Sequence, residues 1–431
     1  MPPSEPSGQS TPPAAPRDGS KRRAAAMPFI MLTVLIDMIS IGLIIPVLPK
    51  LVGTFARTPT EQVGAYATVA MAFAFANFIG SPILGALSDR FGRRPVLLMG
   101  FSGLAVSFFG TALATEYWML VAVRLFSGAM QANAAVANAY VADITPPEDR
   151  AKRYGMLGAM FGLGFILGPV IGGLLGGINL RLPFFVAGTL ALCNWLYGFF
   201  VLPESLPPER RQPFSWKKVN PVGSLKHLMA LKGVGALLIV IAFASLAQFI
   251  LHTTWALYTE LKFGWDPEQI GASLFAVGVM SVLVQGVLIG RFTKWMPLEK
   301  LAIVGLISSS LCYAGWGAAT EGWMMYAVIA ANVFGFAAAT TLQSLISNAA
   351  DPKSQGQTMG AVSGLSSLMM VLAPVIGPLL LKEVAHLPRG DWRIGAPYYL
   401  CALLQAAATV MAVVHFSRVR RAASREAPAS A

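Results

Sequence analysis

Twelve apolar runs follow one another from residue 28 to residue 416 with only short polar breaks between most of them. They cover 28–52, 64–87, 95–115, 117–142, 154–177, 182–202, 234–258, 268–290, 298–320, 322–348, 356–381 and 394–416, designated here spans 1 to 12. Lipid offers a backbone no hydrogen bonds, so apolar runs of about 18 residues or more read as membrane-crossing helices. A soluble core does not absorb a chain that is 55% hydrophobic and has a mean hydropathy of +0.62. The expected fold class is therefore an all-α membrane protein.

The longest polar interruption, 203–232, falls after six spans. It divides the chain into a tail (1–26), a first six-helix bundle (27–202), a linker (203–232), a second six-helix bundle (233–417) and a closing tail (418–431). The opening tail is rich in Pro, Ser and Ala with little to bury, and is expected to be disordered. Its basic cluster, Lys21 to Arg23, precedes a run of span length with no small-residue cleavage site, which reads as a retained first span rather than a signal peptide. With both termini inside, 24 of the 32 Lys and Arg residues collect on the inner side. The positive-inside rule then places both termini in the cytoplasm, and the excess of positive charge needs no nucleic-acid partner.

Cys193, Cys312 and Cys401 lie far apart inside spans, which excludes a disulfide framework, and no metal site is expected. The spans hold no HExxH, no paired carboxylates and no nucleophile beside a base, so an enzyme is not expected either. Laying LGFILGPVIGGLL (163–175) on LMMVLAPVIGPLL (368–380) gives an offset of 205 residues, which also carries Gly85 onto Gly290. Six spans per copy make the copies parallel, as two bundles about an axis along the membrane normal.

The densest charge, GALSDRFGRRP (85–95), sits between spans 2 and 3. Asp89 ends a helix whose dipole it opposes, so it calls for a partner, an arginine or another helix's N-terminus. This stretch resembles the loop motif Gly-x-x-x-Asp-Arg-x-Gly-Arg-Arg of the major facilitator superfamily, at Gly85, Asp89, Arg90, Gly92, Arg93 and Arg94. The resemblance implies a latch: Asp89 facing the start of span 11, and an arginine reaching Asp143 at the end of span 4. In the second copy Lys294 stands where the aspartate would fall, so the latch is expected on one side only.

A second motif, at Gly164, Gly168, Pro169, Gly172 and Gly173, resembles the span-5 signature of the family's twelve-span drug:proton antiporters. Span 1 (VLIDMISIGLIIPVLPKL) and FGWDPEQIGASL (263–274) are similar to the tetracycline-efflux branch. The implied fold is two pseudo-symmetric six-helix bundles. The implied activity is proton-driven export across an inner membrane without a cofactor, by a monomer whose partners are its small-molecule substrate, protons and lipid.

Of the charged residues only Asp37 in span 1 and Arg124 in span 4 lie deep within a span. Each costs about 2.5–3.5 kcal/mol to insert, which marks an intramembrane charge as functional. Burial favours the neutral acid and a nearby guanidinium favours the carboxylate, so Asp37 suits a proton carrier with Arg124 approaching it directly or through water. A static ion pair is the alternative.

Gln131 and Asn138 share a stripe of span 4 with Arg124 and Ser127. Gln248, His252, Trp255, Gln285 and Gln343 are the cavity candidates of the second half. Ser107, Ser281 and Ser309 replace the ionisable residues that tetracycline exporters carry in spans 3, 8 and 9, which points to a lipophilic or cationic compound rather than a magnesium–tetracycline complex. An importer or uniporter on the same fold, or a receptor without turnover, are the other readings.

Overall fold

The computed structural model describes residues 17–131, 133–145, 149–213, 235–349 and 355–426, with no strand among them. Among the described residues eleven helices are long and apolar enough to cross a membrane. In the first half these are span 1 (Arg17–Ile44), span 2 (Pro59–Phe91), span 3 (Arg93–Leu113), span 5 (Arg150–Ile178) and span 6 (Leu182–Val201). In the second they are span 7 (Gly235–Phe263), span 9 (Leu298–Ala318), span 11 (Gln355–Val384) and span 12 (Ala396–Glu426). Span 8 joins Pro267–Leu283 to Ile289–Trp295 through a π-helical turn, Val284–Leu288, and span 10 joins Gly322–Ala331 to Gly335–Ala349.

Span 4 is the twelfth crossing and escapes the length criterion because it breaks at Gln131, between Tyr117–Met130 and Asn133–Ile144. The expected disorder of residues 1–26 is corrected over its last part: the chain is helical from Arg17 and runs unbroken into span 1. Span 12 likewise extends through the expected closing tail to Glu426. Residues 1–16, most of the linker (214–234) and 427–431 lie outside the described residues.

The repeat is visible in where helices begin. Spans 3 and 9 start at Arg93 and Leu298, and spans 4 and 10 at Tyr117 and Gly322, each pair 205 residues apart. Spans 4 and 10 are also the two that break near their middles. Such interruptions survive in a membrane only where neighbouring protein or water satisfies the freed backbone groups.

Local chemistry sets the helix ends. Thr58 caps span 2 by accepting from the Glu61 amide, with Pro59 at the first turn, and Asp266 with Gln269 forms a capping box on span 8 above Pro267. Only Gly92 separates spans 2 and 3, and its φ of 107° is a conformation few residues other than glycine adopt.

Each half has its own buried clusters: Phe29, Phe101 and Tyr140 in one and Leu43, Phe108 and Phe184 in another of the first half, Trp255, Tyr258 and Trp316 in the second. Val63 of span 2 is fully buried in the second half's cluster. The halves therefore join near the start of span 2. That end is called the far end here, and the end carrying the described termini the tail end.

Candidate functional site

At the tail end three of the four charges of the loop 85–95 stand at the wrong end of their own helix: Asp89 at the C-terminus of span 2, Arg93 and Arg94 at the N-terminus of span 3. They compensate one another. Arg93 Nη1 donates to Asp89 Oδ1 and to Ser88 Oγ, both at 2.6 Å, and Arg93 Nε donates to Asp143 Oδ2 at 3.1 Å. The arginine-to-Asp143 contact implied by the family motif is thus present, with Arg93 as the arginine.

A residue the sequence reading passed over completes the knot. Glu204, just after span 6, accepts from the backbone amides of Arg93 at 2.8 Å and Arg94 at 3.3 Å, capping span 3 from 111 positions away. Ser205 Oγ donates to Asp143 Oδ2 at 3.2 Å, and Arg94 Nη2 donates to the Phe199 carbonyl at 2.7 Å. Arg90 lies over the ring of its neighbour Phe91, 5.1 Å from the centroid.

The start of span 11, where the latch from Asp89 is expected, includes residues 351–354, which lie outside the described residues. Among the described residues Asp89 is half exposed and pairs within its own half, and none lies within 4 Å of where a Cβ on Gly85 would stand. The halves also meet at the far end. There Gln62 Nε2 of span 2 donates to Glu260 Oε2 of span 7 at 3.2 Å, and Gly64 lies against the Lys382 side chain of span 11.

The span-5 glycines divide between two partners. Gly164, Gly168 and Gly172 lie against span 1 at Met38, Gly42 and Leu43, so close that a Cβ on any of them would overlap backbone or Cβ atoms there. Gly173 instead faces Pro267 and Gly271 of span 8, across the seam between the halves. The Pro169 carbonyl faces Gly271 at the same crossing. One motif thus binds the first half together and closes the far end.

Asp37 is 6% exposed and lines a cavity of about 10 Å³ with Thr33, Val34, Leu97, Phe101, Ala137 and Phe161. Arg124 is equally buried, but it stands 13 positions from Ala137 along span 4, roughly 15–20 Å of helix toward the far end. Its electrostatic neighbour in that layer is Tyr66 of span 2, and its Nε and Nη2 have no hydrogen-bond partner among the described residues. The structure places the two ionisable residues in different layers, which corrects the expectation that Arg124 approaches Asp37.

The cavity candidates also sort. His252 is exposed on span 7, its ring 6.0 Å from that of Phe165 on span 5, so it faces the seam, and Gln248 lies one turn away on the same face. Gln285 falls seven residues after Gly278, which packs on Ile166 of span 5, and so belongs to the same seam-facing side of span 8. Gln285 also sits in the π-helical turn and donates to Ser281 Oγ at 2.7 Å. Gln343 and Asn138 are exposed, and Gln131 is half-buried at the break in span 4.

Trp255 is a correction. It is 2% exposed, donates through Nε1 to Ser273 Oγ at 2.9 Å and packs edge-on against Trp316. It belongs to the core of the second half, not to the seam. Ser107 and Ser309 are buried as well.

Comparison with known proteins agrees with this architecture. The family model described as Major Facilitator Superfamily matches residues 30–374. The chain is 36% identical over 380 residues to the Escherichia coli tetracycline resistance protein of class C, covering 88% of this chain and 95% of that one. It is 35% identical to the class B protein of the same organism, covering 88% and 94%. Among solved structures, the nucleoside transporter NupG superposes with a TM-score of 0.70 at 13% identity, covering 91% of this chain and 99% of that one. A D-xylose–proton symporter does so at 0.71 and 17%, covering 90% and 97%.

Proposed function

This chain belongs to the major facilitator superfamily, and from that premise we propose that it is a proton-coupled antiporter exporting a small lipophilic or cationic compound of drug type. The observation that carries the reading is the carboxylate of Asp37, buried at mid-span in a small cavity within the first six-helix half. On this reading the tail end faces the cytoplasm, and the far-end closure by Gly173, Gly271, Gln62 and Glu260 defines an inward-facing state.

Rocking the halves closes the tail end and opens the far end. Asp89, half exposed here, then becomes available to span 11. A proton arriving from outside and the substrate arriving from inside occupy the site in alternation. The energetics suffice: one charge crossing 100 mV supplies about 2.3 kcal/mol, or roughly 1.7 decades of concentration.

The test uses everted membrane vesicles energised to an acid interior, with tetracycline, with and without magnesium, and ethidium as probes. Uptake abolished by a protonophore supports the proposal. Uptake indifferent to the proton gradient favours the uniporter reading, and binding without flux favours the receptor.

A further inference from the structure

Thr33 lies one helical turn before Asp37 on the same face of span 1, and both line the cavity of about 10 Å³. Hydroxyls inside membrane helices ordinarily return to the carbonyl four residues back. Ser40, Thr111, Thr254 and Thr341 all do so here, at 2.7–2.8 Å. Thr33 does not. Its Oγ1 is buried and has no partner among the described residues, while its own carbonyl accepts from Asn194 Nδ2 at 3.2 Å.

A buried hydroxyl left without a partner costs stability unless something meets it. The cavity is of the size that admits one water, about 10–15 Å³, and no larger guest. Its remaining described walls, Val34, Leu97, Phe101, Ala137 and Phe161, are apolar, so among the described residues a water there meets Thr33 and Asp37.

We infer that this cavity holds one ordered water between Thr33 and Asp37, and that Thr33 is the positioning residue that sets how tightly Asp37 holds its proton. The inference rests on the proton-carrier reading of Asp37. Thr33 Oγ1 donates to the water oxygen and the water donates to the Asp37 carboxylate; when Asp37 is protonated, its O–H donates to the water in turn.

No other titratable side chain among the described residues shares the cavity wall. The charged or titratable groups on the packed elements are Arg93 and Arg94 at the start of span 3, and Tyr117, Arg124, Tyr140 and Asp143 on span 4. Arg153 on span 5 and Cys193 and Tyr197 on span 6 complete them among the residues whose side chains are described. A hydrogen bond to the carboxylate favours the charged form, so losing the water makes Asp37 hold its proton to higher pH.

The test is a pH titration of the purified, lipid-reconstituted protein by infrared difference spectroscopy. The protonated carboxyl band that disappears in Asp37→Asn identifies the group. In Thr33→Val its midpoint is expected to move about one unit toward high pH, a tenfold change in proton affinity. Thr33→Ser, which keeps the hydroxyl, is expected to titrate as the native protein does. A midpoint unmoved in Thr33→Val, or moved equally in Thr33→Ser, overturns the inference.

A water O–H stretch that shifts in H₂¹⁸O should be present in the native protein without any substitution, and its absence also overturns the inference. If Asp37→Asn removes no carboxyl band, the proton-carrier reading itself has failed, a result distinct from the others.

Discussion

Gly172 and Gly173 are neighbours in one motif, yet the structure assigns them opposite consequences. A Cβ on Gly173 would stand 2.5 Å from the Pro267 carbonyl oxygen and 3.3 Å from Gly271 Cα, both on span 8 of the other half. A Cβ on Gly172 would overlap the Leu43 carbonyl on span 1, within the same half. Overpacking of this kind costs about 1–3 kcal/mol. In Gly173→Ala the clash exists only while the far end is closed, so rocking relieves it and the full cost shifts the equilibrium. The ratio of the two states then changes by about 5- to 150-fold. In Gly172→Ala spans 1 and 5 move together, the clash persists in both states, and the cost appears as lost stability.

The assay is the distribution of distances between spin labels at Arg57 and His386, exposed residues at the far end of either half. Gly173→Ala is expected to populate a longer distance, and Gly172→Ala to keep the native distribution while unfolding at lower temperature. A native distribution in Gly173→Ala, or equal shifts in the two variants, would refute the division of the motif between partners.

Arg93→Ala removes the donor shared by Asp89, Ser88 and Asp143 and is expected to cost about 1–2 kcal/mol in thermal unfolding. Asp89→Asn, at a half-exposed site, should cost under about 0.5 kcal/mol in this state while still impairing transport. Trp255→Phe deletes the hydrogen bond to Ser273 and should lower stability by about 1 kcal/mol without altering which compounds are carried. His252→Ala, at the seam, should do the reverse, changing KM among tetracycline and ethidium at unchanged melting temperature. Measured side by side, the last two variants separate core from seam.

Much of this architecture was legible because lipid imposes it: runs of span length must be helices, and two copies with six each must lie parallel. The offset of 205 residues, found from one thirteen-residue match, reappears in two pairs of helix starts. What escaped has physical reasons. The tail from Arg17 has little apolar content to signal a helix, yet it is the first turns of a helix whose stability comes from span 1.

The break at Gln131 rests on a residue equally suited to a cavity or to a hydrogen bond between helices. Trp255 was misplaced because spacing names a helix face but not what covers it, and its partner Ser273 lies on the next span. The separation of Asp37 from Arg124 depends on how spans 1, 3 and 4 are staggered, and no single run records that. Thr33 showed no signal at all; only the missing return bond to its own helix marks it.

The account turns on Asp37 carrying a proton in exchange for the exported compound. Proteoliposomes loaded with tetracycline and a trapped pH dye test this directly, because an outward substrate gradient should draw protons inward in the native protein. Asp37→Asn should abolish that proton movement while substrate-for-substrate exchange continues. Proton movement of native size in Asp37→Asn would contradict the account.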